Sequence, residues 1–183
     1  MTPNFFAIQP TNGQVDISFF PNRIIGNYHN YETNADLIIQ KELILSKQYF
    51  TDTLPQQKVL KLKEEMNVSS VKLNDTLYVT NYTINDTLFN MQQGSILRKL
   101  KGYYFLNVLN EDQNWNVTKL KFKNNIVSLN NIVTEEEIQT LEVLTETYVD
   151  TLRPATFTLT KKQFRKFVAQ NGFTEGRIYI KKK

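Results

Sequence analysis

Between residues 71 and 130 the chain runs in short β-branched or aromatic segments that alternate apolar with polar side chains: 71–73, 76–82, 87–90, 95–100, 103–109, 115–122 and 126–130. The breaks between them read Asn-Asp, Gln-Gly, Lys-Gly, Asn-Glu-Asp-Gln-Asn and Asn-Asn. Asn and Asp tolerate the left-handed backbone of tight hairpins, and Gly adopts it freely. Period-two alternation with turn residues at near-regular spacing predicts an antiparallel meander, forming a barrel-like or sandwich sheet. Within it, residues 119–123 read Lys-Leu-Lys-Phe-Lys, which puts three lysines on one side of a strand and two apolar side chains on the other. Leu-Asn-Asp-Thr-Leu at 73–77 recurs as Ile-Asn-Asp-Thr-Leu at 84–88, which predicts two successive hairpin strands opened by the same turn.

The flanks extend this picture. Residues 24–31, 35–40 and 43–50 read as strands, and Val59, Leu62 and Met66 at i, i+3, i+7 predict a short amphipathic helix after Pro55. Thr134 with Glu137 forms a capping box ahead of Ile138, Leu141 and Leu144, with an acidic first turn that suits the helix dipole. Residues 156–159 read as another strand. Thr160 then caps a helix carrying Phe164, Phe167 and Val168, closed by Asn171-Gly172 in a left-handed cap with Phe173 packed back on it. Residues 177–181 alternate as a closing strand. The fold class that follows is mainly β (α+β), with about two or three short helices, two of them near the C-terminus. Residues 1–22 read as an N-terminal arm or tether, and 23–183 as a single β-rich domain. The arm carries Phe5, Phe6, Phe19 and Phe20, which either dock on the domain or form a partner surface.

Composition narrows the chemistry. At 183 residues and 40% hydrophobic, the chain can bury one real core. No apolar run approaches the roughly 20 residues of a transmembrane helix. No basic region followed by an apolar stretch opens the chain, so the sequence predicts a cytosolic protein or a mature form whose leader was removed. The absence of cysteine removes disulfides, thiolate nucleophiles and cysteine metal sites. His29 is the only histidine, and the six serines include no Gly-x-Ser-x-Gly elbow. Neither Gly-x-Gly-x-x-Gly nor Gly-x-x-x-x-Gly-Lys occurs, so no cofactor, metal or catalytic residue is assigned. Asn110, Asp112 and Asn114 have calcium-loop spacing, but Trp115 and Lys121 stand where such a loop needs Gly and Glu, and a hairpin turn fits better.

Net charge is +4, with basic clusters at Arg98, Lys99 and Lys101, at Lys119, Lys121 and Lys123, and at Lys161, Lys162, Arg165 and Lys166. Together with Tyr103, Tyr104 and Trp115 they give one alternative function, a cytosolic polyanion- or nucleic-acid-binding β-barrel protein. A carboxylate-based glycan hydrolase is the other, because facing Asp and Glu pairs leave no sequence signature.

Asp-Thr-Leu occurs four times, ending at Leu54, Leu77, Leu88 and Leu152, where average usage predicts fewer than about one. One reading is structural: Asp closes a turn and Thr-Leu starts the next strand. The tripeptide also resembles the acceptor of the general O-glycosylation system of Bacteroidota, which implies glycans on Thr53, Thr76, Thr87 and Thr151. With the Asn- and Lys-rich strands, Gly26-Asn27-Tyr28 and the helix Lys161-Lys162-Gln163-Phe164-Arg165-Lys166-Phe167, the chain resembles the mature part of a small Bacteroidota periplasmic or outer-membrane lipoprotein. It departs from that pattern at residue 1, Met where such proteins carry an acylated Cys. The resemblance implies a non-enzymatic envelope accessory or binding protein, in the periplasm or at the outer membrane. Its partner would be an envelope protein or a glycan, and its membrane contact only an N-terminal lipid anchor.

Overall fold

Strand pairing organises this chain, and the helices cover separate parts of the sheet it makes. A computed structural model describes residues 2–11, 15–147 and 155–182. In chain order the strands are β1 (Asn4–Phe5), β2 (Gly26–Asn30), β3 (Ala35–Ile39), β4 (Leu43–Pro55), β5 (Val68–Lys72), β6 (Leu77–Asn90), β7 (Ile96–Leu100), β8 (Tyr103–Leu109), β9 (Trp115–Lys123), β10 (Ile126–Asn131), β11 (Thr156–Phe157) and β12 (Glu175–Lys181). Helix α1 (Gln56–Glu65) follows β4, while α2 (Glu135–Thr145) and α3 (Lys161–Ala169) lie between β10 and β12. The fold is α+β and mainly β, as the residue pattern predicts, and the sheet does not close into a barrel.

All twelve strands join one sheet, ordered β11-β1-β9-β10-β12-β2-β3-β4-β6-β5, with β8 paired to both β9 and β7. The closing strand is therefore central: β12 lies between β10 and β2. Every contact is antiparallel except β1 on β11. The concave side buries Tyr28, Leu37, Ile39, Ile44, Phe89 and Leu97 with Tyr104, Leu106, Leu120, Val127 and Tyr179, so the sheet curls until distant strands share one core. Desolvation pushes the Tyr28 hydroxyl up to about 12, and it donates to the Ile24 carbonyl. On the convex side, α2 and α3 cover only the β7–β9 end, where Phe105 and Val117 meet Leu141, Phe164, Phe167 and Phe173.

The predicted capping box of Thr134 with Glu137 forms, and Thr160 caps α3 as expected, there also in a box with Gln163. After the end of α3, Asn171 and Phe173 are left-handed, at φ 62° and 66°. Gly172 serves close approach instead: a Cβ there would sit 2.5 Å from the Phe167 ring. Phe173 packs back as expected, with ring centroids 5.6 Å from Phe167 and 5.7 Å from Phe105.

One expectation needs correction. The segments 76–82 and 87–90 are one continuous strand, β6, paired along its length with the 13-residue β4. Asn85 and Asp86 sit mid-strand opposite Lys47 and Ser46, because a long partner strand overrides their local turn preference. The Asp-Thr-Leu repeats accordingly do not share one role: Asp75-Thr76 occupies a turn, whereas Asp52-Thr53-Leu54 and Asp86-Thr87-Leu88 lie inside strands. Of the alternatives for the N-terminal segment, its described residues follow the docked one. Phe5 and Phe20 are core residues, 1% and 0% exposed, so neither belongs to a partner surface. Gln9 exchanges two backbone hydrogen bonds with the Asn107 side chain, at 2.7 and 2.9 Å. Arg98 donates to the Pro10 carbonyl and to Asp16, both at 2.7 Å.

Candidate functional site

Paired residues of an antiparallel sheet point to the same side, so the register fixes what each face displays. Across the convex face one row runs Lys123, Ile126, Ile180, His29, Asp36, Lys47 and Asn85, one residue from each of seven strands. The neighbouring row carries Lys121, Ser128 and Ile178. Ile126, Ile178 and Ile180 are 40%, 60% and 45% exposed. They adjoin one another with no helix above them among the described residues, and a shallow depression of about 330 Å³ lies among Ile126, Ile178, Lys121 and Lys123.

Asp36 anchors the row further along, between His29 and Lys47. It is nearly buried, and three neighbours surround its carboxylate: Lys182 Nζ at 2.7 Å, the Tyr49 hydroxyl at 2.8 Å and His29 Nδ1 at 2.7 Å. Burial works to raise its pKa, but the hydrogen bonds from Lys182, His29 and Tyr49, with the Lys182 charge, outweigh it and hold the carboxyl below its ordinary value. Tyr49 is pushed up, first by its hydrogen bond to Asp36. Tyr31 caps the cluster edge-on to the His29 ring at 4.5 Å. The lone histidine is thus held by a carboxylate in a structural network.

The three predicted same-face lysines divide. Lys119 donates to the Gly172 carbonyl at 2.8 Å and lies over the Tyr103 and Phe173 rings, and burial lowers its pKa despite the nearby Glu137 charge. Lys121 and Lys123 remain on the open face. Arg98 is engaged with the N-terminal segment, Lys99 lies over the Tyr104 ring, and Tyr104 itself is core.

The concave side opens in a cleft of about 480 Å³. Its floor is Leu106, Leu129 and Tyr179, and Leu88 and Val133 form its sides. Leu88 reaches it from a β-bulge: Ile44 pairs with Phe89 and Leu45 with Thr87, which leaves Leu88 unopposed. Thr118 donates to Asn131 at 2.8 Å on the rim, beside Glu175 and Arg177. No sequence signal pointed here, because the cleft exists only once β6 faces β8, β9, β10 and β12 across the curl.

Of the predicted modification sites, Thr53 and Thr87 are exposed on the β4–β6 ribbon and Thr76 in the turn between β5 and β6, and Thr151 lies outside the described residues. Phe6 and Phe19 are exposed at 62% and 54%. The Asn110–Asn114 segment is a hairpin turn in which Asn110 Oδ1 accepts from the Asn114 amide at 2.9 Å. Among the described residues no group of three or more His, Cys, Asp or Glu is placed to hold a metal ion, and no helix is long and apolar enough to cross a membrane. Among the described residues the two most buried carboxylates, Asp36 and Glu137, are both held by internal donors. No family model, curated protein or solved structure matches the chain.

Proposed function

We propose that this chain is a non-enzymatic binding or accessory module of a bacterial cell envelope, working through contact with a protein or glycan partner. The observation that carries the reading is the open convex face: Ile126, Ile178 and Ile180 adjoin one another, exposed, between Lys121 and Lys123 on one side and the Asp36 network on the other. Branched aliphatics grouped at the centre of a sheet and rimmed by polar side chains are the usual make-up of a contact surface. The envelope assignment draws its support from the Asp-Thr-Leu repeats, since Thr53, Thr76 and Thr87 are accessible to a modifying enzyme.

Fractionation of the native host with intact-mass analysis tests this. The protein is expected in the envelope fraction, carrying glycan mass that disappears stepwise in Thr53→Ala, Thr76→Ala and Thr87→Ala. An unmodified chain recovered from the cytosol would overturn the assignment.

A further inference from the structure

The concave cleft carries two features that a structural role leaves unused. Glu175 and Arg177 line it from the same strand and the same side, and neither side chain makes a hydrogen bond or ion pair among the described residues. Their opposite charges stand beside an apolar floor of Leu106, Leu129 and Tyr179, with Leu88 turned toward it by the bulge. The cavity volume of about 480 Å³ falls in the range of about 300–1,000 Å³ typical of small-molecule sites, which combine apolar lining with a few placed polar groups.

We propose that this cleft binds short apolar peptides with free termini, of about two residues. The charges select a zwitterion: a simple carboxylate drawn to Arg177 would meet Glu175, and an amine drawn to Glu175 would meet Arg177. The spacing selects the length. Residues two apart on a strand are separated by about 7 Å, and an extended dipeptide spans about 7 Å. The peptide ammonium lies at Glu175, its carboxylate at Arg177, and its side chains rest on Leu129, Tyr179 and Leu88. The Thr118–Asn131 pair on the rim meets the peptide bond. This site uses the concave side and the contact surface uses the convex one, so either reading can fail alone.

Titration of the isotope-labelled full chain with Leu-Leu, followed by amide NMR, tests the proposal. Saturable shifts are expected at Thr118, Leu129, Arg177 and Tyr179. N-acetyl-Leu-Leu-amide is expected to bind at least tenfold more weakly, and Glu175→Gln and Arg177→Gln each to weaken Leu-Leu at least fivefold. Both residues are exposed, so an otherwise unchanged spectrum verifies the fold of the variants. Absence of saturable shifts at millimolar Leu-Leu would overturn the proposal. So would a capped peptide or decanoate binding as tightly as Leu-Leu, or variants that bind it normally.

Discussion

Glu137 joins two segments through one carboxylate. Its Oε2 accepts from the Val133 and Thr134 amides at 3.0 and 3.1 Å, and its Oε1 accepts from the Thr174 amide at 2.7 Å, tying the start of α2 to the approach to β12. Burial works to raise its pKa, and these backbone donors more than offset it, leaving the carboxyl low. Glu137→Ala removes the cap and orphans the Thr174 amide, so it is expected to cost about 2–3 kcal/mol in urea unfolding. A loss below about 0.5 kcal/mol, the range of neutral surface changes, would contradict the role. Glu137 and Asp36 both titrate lower folded than unfolded. Their stabilisation is therefore complete above the ordinary carboxylate range near about 4 and is lost as pH falls through the depressed values. Asp36→Asn should flatten the acid limb of a Tm-against-pH curve, and an unchanged limb would count against the network. The Thr134–Glu137 box and the Thr160 cap were legible in sequence because each lies within four consecutive residues, whereas the Asp36 cluster joins side chains 7, 13 and 146 positions away and has no local signature.

At the scale of elements, the β4–β6 ribbon divides into a core half and a projecting half. Ile44 and Phe89 belong to the main core. Beyond Tyr49 and Thr83 the ribbon continues to Pro55 and Leu77, joined by β5 and α1, and α1 buries only Val59. Few buried apolar contacts mean a low local opening free energy. Hydrogen exchange is expected to be at least about 100-fold faster at 68–72 than in β8, a difference of about 2.7 kcal/mol; equal protection would contradict the division. Strand positions were legible from alternation, but the length of β6 was not. Asn85-Asp86 carries the same local signal as the real turn at Asn74-Asp75, and only pairing with β4 separates the two.

For the molecule as a whole, the C-terminal strand holds the sheet together. Because β12 lies between β10 and β2, and Tyr179 is buried in the core, removing residues 175–183 should abolish cooperative unfolding monitored by circular dichroism. A truncated chain that still melts in one sharp transition would argue against this topology. The mainly β class follows from period-two alternation, a property of each strand alone. The openness of the sheet, and hence both exposed surfaces, depends on how strands distant in sequence meet, which alternation does not encode. The central claim is that the uncovered convex face is where a partner binds. The most direct measurement is photo-cross-linking in the native host from a reactive residue at Ile178, with the exposed Gln139 on α2 as control. A discrete adduct from Ile178 and none from Gln139 is the predicted result, and equal labelling from both, or none from Ile178, would contradict it.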